Sequence, residues 1–336
     1  MVQKILEGVP GLSFAKGERF SSIGALKAVA TFLGADVSYS WLMGISGAAF
    51  RICWSDNWSM EMTYSAPEDV VANGGKWLGL RCTSLLNPSP EDAWERIRDS
   101  IDSSIPVLSC GLAGAPEFCL IYGYAEEPRR LFVRSYFLEE GEGEIPFQPW
   151  MGWNYSGYGR MPLVLLDRRE REVETMAEES LQRALQFSKG EGPLAADAEN
   201  RGLHFGIQAY DAWIEALKEV EGDLEAMAFN MALNLNALLD ARRTAGEYLQ
   251  ILAAMKEEWR KSLMRASDHY RHQVSVLGEA RRVLYFPLEI PEKAASKAAA
   301  RLADVRPRKD YSIFLRAARD EELLSLEWIA KALEER

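Results

Sequence analysis

From about Asp167 to the C-terminus, proline and glycine thin out and long amphipathic patterns take over, a texture that commits this part of the chain to helices. REVETMAEESLQRALQFS, HFGIQAYDAWIEALKEV, the run from Asp223 to Val283, PEKAASKAAARLADV and DYSIFLRAARDEELLSLEWIAKALEE all carry apolar residues at helical spacing. The longest run exceeds an ordinary globular helix, so the pattern predicts a break near Ala254 to Glu258 and an antiparallel helix pair. The glycine-rich and acid-rich KGEGPLAADAENRG reads as a mobile connection.

The preceding part is punctuated differently. Ser21 and Ser22 open IGALKAVATFLG, where Ile23, Leu26, Ala30 and Leu33 recur at helical spacing and Gly34 supplies a stop, which predicts a short buried helix with a hydroxyl at its N-cap. YSWLMGISGAAFRICW is apolar and carries glycine, predicting a closely packed helix that leads into a strand or loop. Pro88, Ser89 and Pro90 open EDAWERIRDSID, whose early acids suit the positive end of a helix dipole. PVLSCGL, EFCLIYGYAEE, RRLFVRSYF and MPLVLLD are strand-like, the second and third forming an antiparallel hairpin. A chain of 336 residues exceeds the size at which single cores stop growing. The fold class expected is therefore α+β: an α/β domain with an antiparallel sheet over 1–166 and an all-α helical domain over 167–336.

The formal net charge is −11, and both parts are acidic when the chain is split after Leu166. Nucleic-acid affinity rests on neutralising phosphates, so neither a nucleic acid nor an anionic membrane is expected as a partner. No apolar run approaches the roughly 20 residues of a membrane span, and Gly8 and Pro10 interrupt the N-terminal segment where a secretory signal would need its apolar stretch. Cys53, Cys82, Cys110 and Cys119 sit in hydrophobic stretches without zinc-site or redox-dithiol spacing. Buried, reduced thiols in a cytoplasmic protein are the expectation.

The chemistry of common enzymes finds little support. His204, His269 and His272 all lie in the helical part; His269 and His272, three residues apart, share a helix face and could ligate a metal, but no carboxylate motif of the zinc-protease kind stands beside them. GISGAAF lacks the lysine and hydroxyl of a nucleotide loop, and there is no G-x-S-x-G elbow. No metal and no cofactor are expected.

The order FSSIGALKAVATFLG, WLMGISGAAFRICW, PVLSCGL, EFCLIYGY and LFVRSYF resembles the papain-like fold, in particular its bacterial branch around butirosin biosynthesis protein H and the bacteriocin-leader cysteine peptidases. LHFGIQAYDAWIEAL and FNMALNLNALLDARR are similar to the helical C-terminal extension of that branch. The resemblance implies a nucleophilic cysteine at the start of the first helix, where the dipole lowers its pKa, and here that place holds Ser21 or Ser22. The family's histidine opens the strand that is written Glu117 to Tyr124 in this chain, so glutamate stands in its place. The orienting Asp or Asn maps to about Ser135, and the oxyanion glutamine to Ala15 and Lys16. Nucleophile, base, orienter and oxyanion donor are all substituted, which implies a scaffold without the peptidase chemistry.

Aromatic residues crowd the segments that would border such a cleft: Trp41, Trp54 and Trp58, and then Trp150, Trp153, Tyr155 and Tyr158. The expected function is binding of a small amine-bearing molecule or peptide in an aromatic cleft, with Glu117, Ser22, Trp54, Trp150, Trp153 and Tyr155 as its contacts. Glu117 could instead pair with Arg51, Arg81 or Arg134. Two alternatives stand beside the binding reading. One is an acyltransferase or amidase similar to butirosin biosynthesis protein H, with an impaired serine nucleophile; the other is a structural or interaction protein with a vestigial cleft. The apolar surface of the helical part is compatible with a homodimer.

Overall fold

The computed structural model describes residues 2–12, 18–60, 67–86, 88–113, 117–147, 162–168, 175–191, 202–286 and 292–335. The chain forms two units, one of Met1–Leu42 with Pro67–Val173 and the other of Met43–Ala66 with Glu174–Arg336. It is α+β, with an antiparallel sheet in the first unit and a C-terminal set of helices in the second.

In the first unit the strands are β1 (Gln3–Ile5), β3 (Leu80–Leu86), β4 (Val107–Cys110), β5 (Phe118–Ala125), β6 (Arg130–Arg134), β7 (Glu142–Pro146) and β8 (Pro162–Arg168). They form one antiparallel sheet in the order β3-β8-β4-β5-β6-β7, with β1 joined to β5. The hairpin expected from EFCLIYGYAEE and RRLFVRSYF is β5 with β6, Tyr124 facing Leu131 and Ile121 facing Val133. Every residue of β5 is buried, which for a strand requires cover on both faces. Helices α1 (Ser21–Phe32) and α4 (Pro90–Asp102) both pack on it. β1 approaches so closely that a Cβ on Gly123 would lie 2.6 Å from the Lys4 carbonyl oxygen, so only glycine fits there.

Helix α4 begins as its sequence predicts: Ser89 is the N-cap, its hydroxyl accepts the Asp92 N–H at 3.2 Å, Pro90 opens the first turn, and Glu91 and Asp92 face the positive end of the dipole. Helix α1 departs from expectation at one point. Its N-cap is Phe20, with no side-chain cap, and Ser21 and Ser22 lie inside the first turn. The Tyr39 hydroxyl, from the start of α2 (Tyr39–Ser46), accepts the Arg19 and Phe20 N–H groups at 3.1 and 3.0 Å, while the Ser21 hydroxyl is engaged by the sheet. Helix α3 (Pro67–Leu78) leads directly into β3.

The second unit contains the end of α2, a 3-10 turn at Ala48–Phe50, and β2 (Cys53–Ser55) paired with β9 (Leu203–Phe205). Its helices are α5 (Met176–Ser188), α6 (Ile207–Ala216), α7 (Leu224–Met255), α8 (Arg260–Val283), α9 (Glu292–Ala303) and α10 (Val305–Glu334). The predicted break falls between Met255 and Arg260, and α7 and α8 pack on each other. Asp223 and Asp304 cap α7 and α10 through their carboxylates. His204, expected in a helix, lies in β9, because pairing of Leu203–Phe205 with β2 claims this segment and Gly206, at φ +63°, turns the chain into α6 only afterwards. KGEGPLAADAENRG lies largely outside the described residues.

Inside this unit Arg242 of α7 and Glu322 of α10 form a buried bidentate pair, Nη2 to Oε1 at 2.7 Å. The Tyr210 hydroxyl of α6 donates to Glu322 at 2.6 Å, the Gln273 amide of α8 donates to Glu322 at 3.0 Å, and Arg242 also donates to the carbonyls of Ala49 and Arg51. Four helices and the 3-10 turn thus share one polar knot. Among the described residues no helix is long and apolar enough to cross a membrane.

Candidate functional site

The first turn of α1 and the start of β5 bring several polar groups of the first unit together. The Phe118 N–H donates to the Ser21 hydroxyl at 3.0 Å, tying the helix start to the strand start. Ser21 and Ser22 are both buried. Glu117, the residue just before β5, is half-buried with its Oε2 enclosed, and its backbone carbonyl accepts the Gly111 N–H. Gly24 leaves a gap on the helix face, and two groups come to it: a Cβ there would meet the Tyr136 hydroxyl at 3.3 Å and the Glu18 Oε2 at 3.5 Å. Glu18 in turn receives the Lys27 ammonium at 2.5 Å.

The electrostatics follow from this crowding. Burial pushes the Tyr136 phenol well above its ordinary pKa, and the negative charges of Glu117 and Glu18, with Cys119 behind them, push it further. Tyr136 therefore stays protonated and presents a hydroxyl that can donate or accept. Cys119 is enclosed in β5; burial pushes its thiol up to about 12, against a smaller pull from a backbone hydrogen bond at Leu112, and the thiol donates to the Ser109 carbonyl at 3.4 Å. A thiol held there is not a nucleophile at neutral pH. The titratable groups collected at the end of α1 are thus two carboxylates, a phenol, an ammonium and an inert thiol. Such a set can receive a cation and hydrogen-bond it; it does not resemble an activated nucleophile with its base.

Ser135, Trp54 and the arginines weighed for Glu117 have partners of their own. Ser135 follows β6 and is buried; its hydroxyl donates to the Ala113 carbonyl and accepts the Phe137 N–H, both at 3.3 Å, so it shapes the turn toward β7. Trp54 belongs to the second unit, where it is fully buried, stacked on Trp213 at 4.7 Å between ring centroids and met edge-on by Trp58. Trp150, Trp153, Tyr155 and Tyr158, and likewise Ala15 and Lys16, lie outside the described residues. Of the arginines weighed as partners for Glu117, Arg81 pairs with Asp167 and Arg134 with Glu142, while Arg51 lies over the Phe187 ring in the second unit.

The histidines of the second unit are each held by a carboxylate. His204 Nε2 meets Asp56 at 2.8 Å, and His269 Nδ1 and His272 Nδ1 each meet one oxygen of Glu321 at 2.8 Å. The shared helix face of His269 and His272 is therefore used to grip α10.

Sequence reasoning missed Glu18, Gly24, Lys27 and Tyr136. Tyr136 adjoins Ser135, which the strand pattern did single out, but nothing in local periodicity links it to a helix more than a hundred residues earlier. Comparison with known proteins adds no relative to this geometry: no family model, no curated protein and no solved structure matches the chain.

Proposed function

We propose that the first unit binds a small amine-bearing molecule or peptide at the N-terminal end of α1, its ammonium received by the carboxylates of Glu117 and Glu18 beside the Tyr136 hydroxyl. The observation that carries this reading is the approach of the Tyr136 hydroxyl and the Glu18 carboxylate to Gly24, with the charge of the half-buried Glu117 also acting on that phenol. Lys27 already demonstrates the chemistry, since its ammonium sits against Glu18 as a ligand's would. Partial burial strengthens such a contact relative to one in open water. The reading of this unit as a papain-like scaffold without peptidase chemistry is supported by serines at the start of a helix that packs on an antiparallel pair, β5 and β6, with Glu117 at the head of β5.

The test is calorimetric titration of the full chain with putrescine, spermidine, glucosamine and lysine amide. A charge-assisted hydrogen bond contributes about 1.5 to 3 kcal/mol, so Glu117→Gln is expected to weaken the best of these amines at least tenfold. Equal affinity in parent and variant, or no binding of any of the four amines, would overturn the proposal.

A further inference from the structure

The two ends of the sheet in the first unit are built differently. At one end β7 carries Glu142 and Glu144, exposed and ion-paired to Arg134 and Arg130 of β6, and closes with Pro146, which has no N–H to offer. Charges and proline are the usual means of keeping another strand off an edge. At the other end β3 runs seven residues in unbroken register with β8, from Leu80 opposite Arg168 to Leu86 opposite Pro162. It contains no proline, no bulge and one charge, Arg81, which is turned to Asp167 of its own chain at 3.1 Å. Thr83 and Ser84 point to opposite faces of the sheet and are both exposed, while α3 packs on the strand nearer its start, where the Cys82 thiol donates to the Val71 carbonyl at 3.5 Å. Among the described residues no strand pairs with β3 on the side away from β8.

We propose that β3 is the dimerisation edge of this protein, pairing antiparallel with β3 of a second copy across a two-fold axis at Thr83. Several features favour a second copy. In an antiparallel ladder, facing residues must send their backbone groups the same way, so a two-fold axis passes through a residue; placed at Thr83, it uses all seven. That register sets Thr83 against its own counterpart, a favourable β-branched pair, with Cys82 facing Ser84 and Arg81 facing Leu85. The charges are compatible, because the two Arg81 side chains fall at opposite ends of the new ladder, each beside its own Asp167. Pairing of β3 with β7 of another copy would generate an open filament, and the acids and proline of β7 stand against it, which leaves the closed arrangement.

Light scattering on the purified full chain in the micromolar range is expected to give twice the 37.8 kDa chain mass. Thr83→Lys and Thr83→Asp, each at an exposed side chain, are expected to halve that mass while circular dichroism and the melting temperature show a folded protein. Mixing the two variants places lysine against aspartate on the axis and is expected to restore the dimer. A monomeric parent, a dimeric Thr83→Lys, or a mixture that stays monomeric would each overturn the proposal.

Discussion

Glu321 sets the pH response expected of the α8–α10 contact. Burial pushes its carboxyl up, but the hydrogen bonds from His269 and His272 pull it down and prevail, so its pKa lies below the ordinary 4.5. A depressed carboxyl contributes stability that is present above the unfolded value and lost as pH falls through the folded one. Urea denaturation of parent and Glu321→Gln should therefore differ most at neutral pH and converge as pH drops below 4.5; a constant difference would show that the histidine contacts carry no linkage. At this scale the candidate site was only partly legible. Glu117 stood out because a carboxylate heads an apolar strand. Glu18 and Tyr136 did not, since their meaning lies in meeting over Gly24, and no spacing in the chain encodes that meeting.

Elements were read more completely than sites. The break after Met255, the Ser89 cap and the β5–β6 hairpin all follow from local rules of period, capping and alternation. The hydroxyl cap of α1 did not, because the helix already begins at Ser21, with Phe20 as its N-cap, and a tertiary hydrogen bond engages the Ser21 hydroxyl with the Phe118 N–H. Gly44 illustrates an element-scale demand that the sequence did signal, as a glycine in an apolar helix suggests close packing. In α2 it lies directly under the Tyr248 ring of α7, where a Cβ would fall 1.9 Å from Cγ. Tyr248 cannot retreat freely, its hydroxyl being bonded to Ser180 of α5 at 2.5 Å. Gly44→Ala is expected to destabilise the protein by about 1 to 3 kcal/mol through overpacking, read as a lowered urea midpoint with an unchanged slope. An unchanged midpoint would mean that α2 and α7 can separate without cost.

On the scale of the molecule, the Arg242–Glu322 knot is the feature that organises the helices of the second unit. Both side chains are enclosed and share partners from α6, α7, α8 and α10. Removing one partner leaves the other as a buried, uncompensated charge, so Glu322→Leu is expected to cost about 3 to 5 kcal/mol. Arg242→Met combined with Glu322→Leu should recover part of that loss, because no uncompensated charge remains, although the Ala49 and Arg51 carbonyls lose their guanidinium donor and the Tyr210 hydroxyl its carboxylate acceptor. Chemical denaturation of Glu322→Leu, Arg242→Met and the double variant checks both statements, and additive losses in the double variant would show that the pair is not the coupled unit its geometry describes.

By itself the sequence determined the class of structure: periodicity separated a strand-bearing part from a helical one, and capping and breaker residues set most boundaries, because these signals act within a few residues of each other. Only the tertiary structure decided which residues share a site. Lys27 and Glu18, Tyr136 and Gly24, Arg242 and Glu322, and Tyr39 and the start of α1 are brought together by packing between elements. It also decided that Met43–Ala66, which precedes most of the sheet in the chain, counts with the C-terminal helices. Local propensity carries no information about such distant pairings, since their free energy arises from burial and charge compensation that exist only once the elements have met.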